Sequence, residues 1–186
     1  MIIKTIINYV NSRLYTKDTV ILFNLQNHKN QSSVASIKHA TDKNIFDILH
    51  FQNTKYIDVF KKFLSLGDKG YLGYLKGVCI HRSWVKENMQ VINLHWASRY
   101  KLKRNEIIIH YCETAPEARG KNIYGHVLST IIEEHKNKNI LISINEKNKI
   151  SIKVAQKVGF RETEREKIFV IMGIKFIKKT IKNDLK

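Results

Sequence analysis

The segment from Glu113 to Phe160 constrains this chain more than any other part of it. It opens with E-T-A-P-E-A-R-G-K-N-I-Y-G (Glu113 to Gly125) and runs into an apolar helix pattern through Val127, Leu128, Ile131 and Ile132. A short apolar strand follows (Ile140 to Ile144), then N-E-K-N-K-I-S-I-K-V-A-Q-K-V-G-F. Immediately upstream, Glu106 to Thr114 reads as a strand, and its unbroken Ile107-Ile108-Ile109 run predicts burial on both faces of a sheet. A strand that turns tightly into a helix leaves backbone N–H groups unpaired at the helix start, and those groups suit an anion. Arg119, Gly120 and Lys121 stand where a polyphosphate would land.

The flanking sequence supplies further elements. Thr19 to Gln26 is rich in β-branched and aromatic residues and predicts an early strand, with a polar loop over Asn27 to Ser33. Ala40 to Leu66 carries apolar residues at spacings of three, four and seven, which predicts one or two amphipathic helices. Thr41 and Asp42 are candidate N-caps there, and Gly67 is a candidate stop. Asp68 to Val85 predicts a β-hairpin turning at Lys76-Gly77, and after a polar loop the chain enters the Glu106 strand. A second pair of strands is expected around Gly173, and Gly159-Phe160 reads as a helix stop followed by a strand. With no internal repeat, low-complexity tract or linker, residues 1–186 are expected to form one α/β domain.

Composition narrows the functional classes. A hydrophobic fraction of 43% and a charged fraction of 26% fit a folded globular chain. No apolar run approaches the roughly 20 residues of a membrane span. The opening M-I-I-K-T-I-I-N-Y-V is interrupted by Lys4 and Asn8 without a small-residue cleavage site, so no secretory signal is expected. Cys79 and Cys112 form no disulfide or metal-site pattern, which fits a reducing cytoplasm. The net charge is +17, from 33 Lys and Arg against 16 Asp and Glu, and such an excess attracts polyanions. The charge is dispersed, with a modest cluster at Lys175, Lys178, Lys179 and Lys182, and dispersed charge is usually a solvated face.

The order strand, P-E-x-R-G-K, helix, strand, Asn, helix, G-F resembles the acetyl-CoA-binding core of the GNAT superfamily of acyl-CoA N-acyltransferases. The resemblance runs from about residue 40 to the C-terminus and is strongest between Glu106 and Phe160. Within the superfamily, G-Y-L-G-Y, H-R-S-W, I-H-Y-C-E-T and R-G-K-N-I-Y look most like members encoded among cell-surface polysaccharide genes. The resemblance implies a GNAT-like α/β fold, a mixed central sheet flanked by helices. It also implies acetyl-CoA as co-substrate and a small amine as acceptor, and it leaves room for a homodimer.

On that resemblance, the central strand with Cys112 and Thr114 pairs with the pantetheine arm. Arg119, Gly120, Lys121, Asn122, Ile123, Tyr124 and Gly125 wrap the pyrophosphate, and Asn148 contacts the arm. The family pattern Q/R-x-x-G-x-G/A is altered here: Asn122 and Tyr124 replace its two small positions, and Gly125 lies one residue further on. Asn tolerates positive φ better than most residues, so Asn122 is expected to permit the turn.

Acetyl transfer to an amine needs a base, because an ammonium has no lone pair. The central strand offers Glu113 first, beside the cofactor loop, then Glu106, then His110. Oxyanion stabilisation is expected from a backbone N–H of that strand. The helix Tyr that commonly protonates the thiolate is Ala155 here, and Tyr124, at a helix start, is expected to pack rather than protonate. Cys112 as a nucleophile lacks a base partner at a recognisable offset. Tyr71, Tyr74, His81, Arg82 and Trp84 are candidates for an acceptor pocket, and aromatic faces suit the sugar or nucleobase of an amino sugar or sugar nucleotide. A basic nucleic-acid-binding or non-catalytic GNAT-like domain is the alternative from charge, and it requires basic residues clustered on one face.

Overall fold

The computed structural model describes residues 9–11, 13–87 and 89–182. The expectation that Met1 to Val10 is not a secretory signal falls mostly on residues 1–8, outside the described residues. Among the described residues ten strands are present: β1 (Tyr15–Leu25), β2 (Ser36–His39), β3 (Lys69–Leu75), β4 (Val78–Lys86), β5 (Val91–His95), β6 (Ser98–Lys101), β7 (Glu106–Thr114), β8 (Asn139–Asn145), β9 (Phe160–Ile171) and β10 (Ile174–Ile181). Helical residues 9–11 and 13–14 precede β1, and three further α-helices are found among the described residues: α1 (Lys55–Ser65), α2 (Ile123–Glu134) and α3 (Lys149–Val158). Eight strands form one sheet in the order β10-β9-β1-β8-β7-β4-β3-β2, and β5 and β6 form a small separate sheet. Among the described residues, β7 and β8 are the one parallel pair in the large sheet.

Strand periodicity explains how both faces are covered. Side chains alternate across a sheet, so Ile107 and Ile109 join a core with Val127, Leu128 and Ile131 of α2 and Ala155 and Val158 of α3. Ile108 points the other way, into a cluster with Ile92, Leu102 and Leu141. All three isoleucines are fully buried, as their unbroken run predicts. On β3 and β4, Leu72 and Trp84 meet Ile57 and Phe60 of α1, with the Phe60 and Trp84 rings stacked 5.1 Å apart. Burying aromatic rings of this size contributes about 1.5–3 kcal/mol each.

Several local expectations are met and several are corrected. The β3–β4 hairpin turns at Lys76 (φ 50°) and Gly77 (φ 81°), and two positive φ values make a primed turn that follows the strand twist. Gly67 stops α1 with φ 80°. The 40–66 segment, however, holds one α-helix and one 3-10 helix (Ile45–His50). Thr41 and Asp42 cap neither: Asn44 precedes the 3-10 helix and Thr54 precedes α1, and the Thr41 carbonyl accepts from Asn44 and Ile45 N–H. The polar loop expected after the hairpin contains β5 and β6, short strands whose polar positions hide the alternation. Tyr71, Tyr74 and Trp84 are buried, so they build the core and not an acceptor pocket.

Candidate active site

Parallel pairing of β7 with β8 runs from Glu106–Asn139 to Ile109–Ile142 and stops there. Beyond that point the two strands part. β7 also loses register with β4 between Trp84–His110 and Arg82–Glu113, where Tyr111 and Cys112 face one intervening residue. This is a β-bulge, and Tyr111 adopts φ 50° within it. Arg82 holds the distortion in place: its guanidinium donates to the Tyr111 carbonyl and to Gln52 Oε1 at 3.0 Å. The same group pairs with Glu113 Oε2 at 2.8 Å and lies 4.7 Å above the Phe60 ring.

Above the parted strands lies a cleft of about 670 Å³. β7 contributes Cys112, Glu113 and Thr114; the loop and start of α2 contribute Arg119, Gly120, Asn122, Ile123, Tyr124 and Gly125; Asn148 stands at the start of α3. These are the cofactor residues expected from the sequence, all except Lys121, which does not line the cleft. Gly120 has φ 79°, and a Cβ there would meet no atom within 4 Å, so its open side faces space. Asn122 takes φ 55°, as its residue type allows, and its Nδ2 donates to the Ser32 carbonyl at 3.0 Å. Gly125 serves that residue: a Cβ at 125 would lie 2.8 Å from Asn122 Oδ1. The asparagine and the displaced glycine thus form one unit, which the sequence pattern alone leaves unconnected. Asn148 Oδ1 accepts from Ser151 N–H at 3.1 Å and caps α3.

The three base candidates are widely separated in environment. Glu113 lines the cleft with 40% of its side chain exposed. Glu106 is buried at the opposite end of β7, where it accepts from Tyr100 Oη and Lys103 N–H, each at 2.9 Å. His110 is buried beside Asp68 Oδ2 at 3.6 Å and packs on Phe63, and burial pushes its pKa down. Neither Glu106 nor His110 lines the cleft. Glu113 does.

Beneath the cleft runs a buried polar chain. His81 Nδ1 lies 2.7 Å from Thr114 Oγ1 and Nε2 lies 2.8 Å from Ser83 Oγ. Burial, with the neighbouring Arg82 charge second, pushes the His81 pKa down to about 3. Tyr124 stacks on His81, ring centroids 5.6 Å apart, and its hydroxyl hydrogen-bonds with the Cys112 thiol. The ring therefore packs against the sheet as expected. Burial raises the pKa of both Tyr124 and Cys112. Ala155, at the position of the missing helix Tyr, is fully buried in the core. Sequence reading missed Lys153 and Lys157, which also line the cleft; their spacing of four on α3 was the available signal.

No family model and no curated protein matches this sequence. Solved structures do share its fold. An acetyltransferase of the GNAT family from Colwellia psychrerythraea matches with a TM-score of 0.64 at 11% identity, over 88% of this chain and 56% of that one. A second GNAT-family protein, from Novosphingobium aromaticivorans, gives 0.55 at 10% identity over 81% of this chain and 64% of that one. The aminoglycoside N-acetyltransferase AAC(6')-Iy, solved with CoA, gives 0.53 at 15% identity over 68% and 92%. The chain thus spans little more than half of the first and under two thirds of the second. The fold is that of GNAT acetyltransferases: a mixed sheet flanked by helices.

Proposed function

We propose that this protein is an acetyl-CoA-dependent N-acetyltransferase that acts on a primary amine of a small molecule. The observation that carries this reading is the cleft over the parted strands, where the cofactor loop and Glu113 meet. Backbone N–H groups between Arg119 and Gly125 receive the pyrophosphate, favoured by the positive end of the α2 dipole. Cys112 and Thr114 of β7 and Asn148 flank the pantetheine arm. Acetyl-CoA supplies the activated thioester. Glu113 takes the proton from the acceptor ammonium, directly or through water, and the Arg82 contact fixes its position. A backbone N–H at the β7 bulge polarises the acyl carbonyl. An amino sugar or sugar nucleotide is the proposed acceptor class, and the unpaired thiols of Cys79 and Cys112 fit a cytoplasmic setting.

The test is release of free CoA thiol from acetyl-CoA in the presence of a panel of amino sugars, aminosugar nucleotides, aminoglycosides and polyamines. Acceptor-dependent thiol release, with an acetylated product of the matching mass, is expected for at least one sugar amine. Release that is independent of every amine would contradict the transferase reading.

A further inference from the structure

The hairpin of β9 and β10 ends in an exposed apolar tip. Tyr15 lies opposite Ile171 across β1 and β9, and Ile174 lies opposite Ile171 across β9 and β10. Opposed residues share a sheet face, so these three form one row, and all three are exposed. Met172 at the turn is 79% exposed, and Leu14 beside it is exposed as well. The turn is held in place. Met172 N–H donates to the Leu14 carbonyl at 2.9 Å and Gly173 N–H donates to the Arg13 carbonyl at 2.6 Å. Both turn residues have positive φ, 49° and 82°, as a primed turn requires. An apolar cluster that a fixed turn presents to water marks a contact surface.

Cations stand behind this tip, and carboxylates do not. Residues 9–17 and 167–182 contain no Asp or Glu. The next row on the same face is Lys17, Phe169 and Phe176, and the row after it sets Lys167 directly opposite Lys178. Opposed like charges destabilise a sheet. Among the described residues neither of these two lysines has an ion-pair partner, whereas Lys179 and Lys182, toward the open end of the hairpin, are matched by Glu162, Glu164 and Glu166. On the other face, Arg13 and Lys175 lie 3.8 Å and 5.6 Å from the Trp96 ring. Successive rows are about 7 Å apart along a strand. The order from the tip inward is therefore apolar side chains, then aromatic rings with lysine, then lysine alone.

We propose that this tip docks the protein on an anionic lipid bilayer. Interfacial segments bury their apolar face about 5–10 Å into the headgroup boundary. That depth takes in Ile171, Met172 and Ile174 and leaves the lysines behind them among the lipid phosphates, where each cation adds attraction. Tyr15 and Trp96 fall at the level that such side chains favour. A second copy on this surface would set lysine against lysine, and a nucleic acid would leave the aliphatic tip without a partner. The surface is separate from the proposed acetyl-CoA cleft, which β7, α2 and α3 build.

Partitioning onto vesicles, measured by flotation, tests the assignment. One set is phosphatidylcholine alone and the other is equimolar phosphatidylcholine and phosphatidylserine. Wild type is expected to bind the anionic vesicles about tenfold or more tightly than the neutral ones, and to be released as salt rises. Met172→Ser/Ile174→Ser keeps every charge and alters only exposed side chains, and it should weaken that binding about tenfold. Lys167→Ala/Lys178→Ala should weaken it about tenfold as well. Melting temperatures verify that both variants are folded. Wild type that ignores anionic vesicles overturns the proposal. Vesicle binding that the serine variant retains in full also overturns it, because the contact would then lie elsewhere. Binding of a single-stranded oligonucleotide, or self-association, in place of vesicle binding and lost in the serine variant would give the surface to nucleic acid or to a second copy, and would overturn the lipid assignment.

Discussion

At the scale of single residues, Arg82 links the strand distortion to the chemistry. It is buried, yet its guanidinium reaches the Tyr111 carbonyl, Gln52 and Glu113 at once. Glu113→Gln keeps an acceptor for Arg82 but removes the base. Turnover is expected to fall roughly 10²-fold or more at neutral pH, with acetyl-CoA binding nearly unaffected. The loss should shrink at high pH, where the free amine is abundant. Wild-type turnover in that variant would remove Glu113 from the reaction. His81 carries a different prediction. Its folded pKa of about 3 lies below the ordinary 6.5, because burial disfavours the imidazolium. Between those values the unfolded chain binds a proton that the folded protein refuses, so stability falls as pH drops through the window. His81→Gln is expected to flatten the decline of the urea midpoint between pH 7 and about pH 4. An unchanged slope would show that His81 is not a source of acid sensitivity.

At the scale of elements, the C-terminus of α3 fixes the approach to the cleft. Gly159 has φ 117°, and a Cβ there would lie 1.8 Å from the Asn27 carbonyl oxygen. Gln26 N–H donates to Gly159 O at 3.2 Å and Lys29 N–H donates to Val158 O at 2.8 Å, so the loop after β1 is laid against this helix end. Gly159→Ala is expected to cost at least about 2 kcal/mol in urea unfolding; a change below about 0.5 kcal/mol would contradict the close approach. Much of this was legible in the sequence. The Ile107–Ile109 run, the Lys76-Gly77 turn and the Asn148 and Gly159 helix ends are local signals, and each corresponds to a local structure. What was not legible is what depends on distant partners. The β7 bulge arises from its register with β4, and no residue type at Tyr111 announces it. Gly125 matters through the Asn122 side chain, and Tyr71, Tyr74 and Trp84 look alike as core or pocket residues until the sheet is assembled. β5 and β6, five and four residues long, are too short to reveal their period.

At the scale of the whole molecule, the net charge of +17 is unevenly compensated. The tail lysines Lys179 and Lys182 are matched by glutamates across the β9–β10 hairpin, whereas Lys153 and Lys157 in the cleft are not. Acetyl-CoA affinity is therefore expected to weaken as salt rises, because the Debye length shortens from about 10 Å at 0.1 M to about 3 Å at 1 M. No helix among the described residues is long and apolar enough to cross a membrane. The central claim is that the cleft over the parted strands binds acetyl-CoA through the backbone around Gly120. Titration calorimetry with acetyl-CoA on wild type and Gly120→Val tests it most directly. Valine at φ 79° is strained by about 1–2 kcal/mol but meets no protein atom within 4 Å, so the variant should stay folded while its side chain fills the phosphate approach. The account predicts saturable one-to-one binding to wild type and no measurable binding to the folded variant. Absence of binding to wild type, or equal affinity in Gly120→Val, would contradict it.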